Sequence, residues 1–127
     1  MKYMLLMSNT KAELHAGMSR LSKEDLHALV VHMRAFAQEI DESGELVGTW
    51  GLSFPDEAKL VKAGHDGQPI TDGVFPESKE FLAGFWIIDV AGPQDAYRIA
   101  ARVSHGPFGA IPIEVRQIMD SAPKEWG

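Results

Sequence analysis

From residue 2 to residue 8 the chain is apolar on both alternating sets, Tyr3, Leu5 and Met7 on one and Met4 and Leu6 on the other. Successive side chains of a strand point to opposite faces of its sheet, so this pattern predicts a strand covered on both sides, and hence a central one. A polar connection follows. Ser22 is then placed to cap a helix, with Glu24 and Asp25 in the first turn, where the helix dipole favours negative charge. Leu26, Leu29, Val30, Met33, Phe36, Ala37 and Ile40 recur at three- and four-residue steps, and Gly44 stands where a C-terminal cap belongs.

Residues 45–53 read as a strand containing Gly48 and Gly51, and Pro55 ends it. Residues 59–62 and 68–71 flank the turn-forming group His65-Asp66-Gly67, which predicts a hairpin inserted between core elements. The run from Phe81 to Val90 is again apolar on both faces and predicts a second central strand. Pro93 suits a first helical position, Ala96, Ile99, Ala100 and Val103 then share one face, and Gly106 supplies a stop. Residues 111–119 read as the last strand, with Ile111, Ile113 and Val115 on one face and Glu114 and Arg116 on the other.

The order is β-α-β, a hairpin, then β-α-β. This is the ferredoxin-like α+β pattern, β-α-β-β-α-β with an inserted hairpin, in which two helices lie on one face of an antiparallel sheet. At 127 residues the chain is expected to form a single domain over residues 1–127. Two helices cover only one sheet face, yet two strands are apolar on both. A second copy of the same sheet is the simplest cover for the other face, so the chain is expected to be a homodimer with its site in the cleft between sheet, helix and neighbour.

Charge and composition narrow the partners. A net charge of -6 without a cluster of Lys or Arg disfavours nucleic acid, whose phosphates call for a basic stripe. The complete absence of cysteine removes disulfides, thiolate metal sites and a cysteine nucleophile together, and fits a reducing compartment. The apolar run near residue 2 is too short to span a membrane, so no membrane partner is expected and the chain reads as cytoplasmic. There is no glycine-rich dinucleotide fingerprint, phosphate loop, serine nucleophile elbow or His-Glu-x-x-His helix. His27 and His32, five residues apart, fall about 140° apart around a helix and make poor joint ligands. No metal and no cofactor are expected.

The segment Thr71-Asp72-Gly73-Val74-Phe75-Pro76-Glu77-Ser78-Lys79-Glu80, followed by Leu82-Ala83-Gly84-Phe85-Trp86-Ile87-Ile88, closely resembles the signature of the YCII-related or "DGPF" family. The opening Met1-Lys2-Tyr3-Met4-Leu5-Leu6 and the closing Ile113-Glu114-Val115-Arg116 match the same family's ends, so the likeness spans nearly the whole chain. Val74 departs from it, since the family usually has proline there. The resemblance implies a ferredoxin-like, dimeric α+β barrel and an enzymatic or ligand-binding role.

Two stretches carry candidate chemistry. Asp72, Lys79 and Glu80 place three ionisable groups beside Phe75, and Gly73 permits unusual backbone angles there, so the loop can set an acid or base against an apolar wall. The structural alternative is that Asp72 caps a turn while Lys79 and Glu80 are solvated. His32 lies at the edge of the first helix's apolar stripe; near a carboxylate such as Asp72 it would form a proton-transfer pair tuned near neutral pH. His32-Met33-Arg34-Ala35-Phe36 is also similar to the helix histidine and its apolar and aromatic followers in the YCII branch of the family. Arg116 either clamps a substrate carboxylate or pairs with Glu114, and His105 either lines the site or steadies the end of the second helix. Phe85, with Trp50 and Trp86, is expected to line the core or an interface.

Two functions follow. One is a cofactor-free enzyme in which His32 and Asp72 are the acid–base pair, acting on a small organic substrate held by Phe75, Lys79, Glu80, Phe85, His105 and Arg116. The other is a non-catalytic small-molecule-binding or regulatory module.

Overall fold

The computed structural model describes residues 1–72, 79–106 and 109–127. Strand β1 (Lys2–Thr10) runs directly into helix α1 (Lys11–Ser19), and the long helix α2 (Lys23–Glu42) follows. Strand β2 (Leu46–Gly51) leads to the ribbon β3 (Leu60–Ala63) and β4 (Pro69–Asp72), then to β5 (Glu80–Asp89) and helix α3 (Pro93–Ser104). A short ribbon, β6 (His105–Gly106) with β7 (Gly109–Ala110), precedes the last sheet strand β8 (Glu114–Gln117). The main sheet has the order β2-β5-β1-β8 with antiparallel neighbours, so each β-α-β unit has a strand of the other unit inserted between its two strands. This is the ferredoxin-like arrangement.

Side-chain alternation decides which face the helices cover. Across β1 and β5, Tyr3 is opposite Ile88 and Leu5 opposite Trp86, and all four are buried. Phe36 and Ile40 of α2, with Ala96, Ile99, Ala100 and Val103 of α3, close over them as one core. Each large side chain fully withdrawn from water there contributes about 1.5–3 kcal/mol. Phe36 and Trp86 add a tilted ring contact at 5.5 Å. The other set, Met4 opposite Ile87 and Leu6 opposite Phe85, belongs to the opposite sheet face and is only half-buried.

Helix α2 begins and ends where its sequence directs. The Ser22 hydroxyl accepts from the Asp25 amide while the Asp25 carboxylate accepts from the Ser22 amide, at 3.1 and 2.9 Å, a reciprocal cap. Gly44 adopts φ +79°, the left-handed geometry that suits glycine just beyond a helix. In the inserted ribbon, the Asp66 carboxylate accepts from the Gln68 amide and Gly67 takes φ +80°, which turns the chain between β3 and β4.

The polar connection expected after β1 is instead α1. Only Leu14, Gly17 and Lys11 of it are even half-buried, so it lacks the apolar stripe that marks α2. It is held by its own cap: the Thr10 hydroxyl accepts from the Glu13 amide, and the Glu13 carboxylate accepts from the Thr10 amide. The last strand is shorter than residues 111–119 because Pro112 has no amide to give a ladder, and the Ile111 amide and carbonyl are both taken by Ser104.

Candidate functional site

Helix α2 borders a cavity on each of its two flanks. On the α3 side, His32, Ala35, Phe36 and Glu39 face Ala101, Arg102 and His105 across a groove of about 520 Å³. Arg102 binds both carboxylate oxygens of Glu39, at 2.8 and 2.7 Å, and its guanidinium lies 4.5 Å over the Phe36 ring. The Arg102 hydrogen bonds hold the Glu39 carboxyl below its ordinary range, and Glu39 in turn raises the Arg102 guanidinium. His105 ends α3, and its amide donates to the Ala101 carbonyl.

On the β2 side, a cleft of about 550 Å³ opens between α2 and the sheet. Its walls are Leu29, Val30, Met33 and Ala37 of α2, with Met7 and Trp86 from the sheet; its floor includes Gly51, Ala83 and Gly84. Gly84 is required there, since a Cβ on it would come within 2.9 Å of the Trp50 carbonyl oxygen and 3.4 Å of Gly51 Cα. A second cavity of about 280 Å³ runs from the same Met7, Leu29 and Met33 toward Val103 and Ile111. The two are neighbours with those three residues in common.

The residues singled out from sequence are distributed over several places. His32 and His105 share the α3-side groove. Asp72 ends β4, opposite Leu60 in the ribbon, and is not among the described residues that line the groove at His32. Lys79 is exposed just before β5, and Glu80 begins that strand opposite Thr10. Phe75, with Gly73 and Val74, lies outside the described residues. Phe85 is on the open sheet face, beneath Trp50 at 5.5 Å between ring centres. Arg116 is on that face too, opposite Met4, with Glu114 at 3.6 Å in a mutual pair exposed to solvent.

One constellation was not anticipated. Lys11 and His15, one turn apart on α1, border a cavity of about 230 Å³ with Leu14, Met18, Phe54, Pro55 and Asp56. Lys11 reaches Asp56 at 2.6 Å, and its side chain is 12% exposed against 75% for the carboxylate. The Lys11 hydrogen bond holds the Asp56 carboxyl below its ordinary range, with a smaller contribution from His15. The one signal for it in the sequence was the Thr10-x-x-Glu13 cap, which marks a helix start and thereby sets Lys11 and His15 on one face.

The architecture and the strand-flanked signature point to one family, and a family model of the YCII-related domain matches residues 1–122. The chain belongs to the YCII-related family. No curated protein shows significant similarity to it. The YCII-related domain therefore supplies the fold, whereas the chemistry has to be argued from the side chains that border its cavities. Among the described residues no helix is long and apolar enough to cross a membrane.

Proposed function

We propose that this YCII-related protein binds a small organic molecule in the apolar cleft between α2 and the sheet, and that it does so as a cytoplasmic homodimer. The observation that carries the binding reading is that two neighbouring, largely apolar clefts share Met7, Leu29 and Met33 in their linings, and the one between α2 and the sheet, at about 550 Å³, has the size small ligands occupy. The dimer is supported by the apolar, half-buried set Met4, Leu6, Phe85 and Ile87 on the sheet face opposite α2 and α3. Methyl NMR of the methionines tests the binding site: a panel of small apolar molecules should shift Met7 and Met33 before other methyl groups. Shifts confined to other methyls would refute it. Sedimentation equilibrium at micromolar concentration should give twice the chain mass, and a soluble monomer there would refute the dimer.

A second reading is cofactor-free acid–base catalysis on the same class of small molecule. It is favoured by His32 and His105 standing at one groove, where two imidazoles can exchange protons with a bound substrate. Asp72 would complete the pair only from β4, a separate element, which makes binding the better supported of the two functions. Following turnover in the same panel separates them: product formation lost in His32→Gln establishes catalysis.

A further inference from the structure

We infer that the ligand of the apolar cleft is an amphipathic carboxylate, and that Arg34 is the residue that recognises its charged end. This rests on the cleft being the binding site. Arg34 is the only charged side chain among the described residues lining it, and it stands beside Met33 and Ala37. The remaining arginines are occupied: Arg20 donates to the Ala16 carbonyl, Arg98 pairs with Glu45, Arg102 with Glu39, and Arg116 with Glu114. Arg34 has no hydrogen-bond or ion-pair partner among the described residues.

The sequence accounts for that isolation. Positions three and four residues away along α2 are Val30, Val31, Ala37 and Gln38, so no helix neighbour offers a carboxylate. Thr49, the hydroxyl at the same cleft, already donates to the Phe85 carbonyl at 3.1 Å. A guanidinium with its full fork of donors at the edge of an apolar enclosure matches a molecule with an apolar body and a planar two-oxygen anion at one end. The net charge of -6 repels anions in general, so a preference for a carboxylate has to arise locally.

The test uses 4-phenylbutanoate and 4-phenylbutan-1-ol, which share an apolar body and differ in charge. Titration calorimetry gives the affinities, and the Met7 and Met33 methyl signals report occupancy of the cleft. The acid is expected to bind about tenfold more tightly than the alcohol, as a charge-assisted hydrogen bond implies. Arg34→Gln should remove that preference, and an unchanged urea midpoint shows that the variant is folded. Equal affinities in the wild type, or an acid preference that survives Arg34→Gln, would overturn the carboxylate inference while leaving the cleft as a binding site. Failure of both probes to move Met7 and Met33 would overturn the cleft itself, and the inference with it.

Discussion

The two flanks of α2 make a comparison within one helix. His32 and Arg34 are two residues apart, about 160° around the helix, and so point to opposite sides of its buried stripe. On the α3 flank the charges are satisfied internally, with Glu39 and Arg102 locked in a two-point pair over Phe36. On the β2 flank the lining is mostly hydrocarbon and the single cation has no partner among the described residues. A saturated pair has little left to offer a ligand and mainly ties two helices together. An exposed cation without a protein partner beside an apolar cleft has only water to exchange for a ligand. The lesson is that a charged side chain near a cavity is informative in proportion to what it leaves unbonded.

Trp86 gives the largest test, because it belongs to both flanks: it packs on Phe36 and lines the β2-side cleft. Trp86→Ala should cost about 3–5 kcal/mol in urea unfolding, through lost burial and the void left behind. It should also abolish probe binding at the cleft. Retained binding in a folded Trp86→Ala protein would mean that the cleft does not depend on the core beneath it. Gly84→Ala comes next. Its new methyl meets backbone of β2 rather than a movable side chain, so about 1–3 kcal/mol is expected, read as a lower urea midpoint.

Ser22→Ala should cost about 1 kcal/mol by removing the reciprocal cap at the start of α2. Amide exchange should quicken in the first turn, ahead of Leu29, and leave the Glu39 region unaltered. Uniform quickening along α2 would show that the flanks are not separable.

The Glu39–Arg102 pair makes a pH prediction with a definite sign. A carboxyl held below its ordinary range in the folded chain contributes stability that is complete above the unfolded value. That contribution is lost as pH falls through the folded value. In Arg102→Gln the Glu39 carboxyl should titrate at higher pH by carbon-detected NMR, and the stability difference from wild type should shrink in acid to what the Arg102 contact with Phe36 contributes. An unmoved Glu39 midpoint would remove the pair from the account.

Much of the scaffold is legible in the sequence. Ser22, the apolar steps from Leu26 to Ile40, and Gly44 set out α2, and the doubly apolar runs around Leu5 and Trp86 marked the two central strands. These signals are local, repeating within one or two turns or every second residue. Helix α1 was not legible by the same means, since Leu14 and Met18 alone make no stripe and the helix buries no residue fully. The candidate site was harder still. Periodicity places His32 at one edge of the α2 stripe and Arg34 beyond the other, but it carries no information about which element covers each edge. That depends on α3 and β2 arriving from distant sequence, as does the Lys11–Asp56 pairing. The histidine is conspicuous by its chemistry, whereas the significance of the arginine lies in what it lacks.

The bare backbone at Gly84 bears on how such a cleft can be retuned. At that point the floor is main chain, pressed against β2 too closely to accept a methyl group, so it cannot be reshaped there by substitution without prising the strands apart. Variation in chamber depth falls mainly to the opposing helix, where Leu29, Met33 and Ala37 can be exchanged for larger or smaller residues one at a time. An engineer wishing to admit a longer or broader guest would diversify those three positions and leave Gly84 alone.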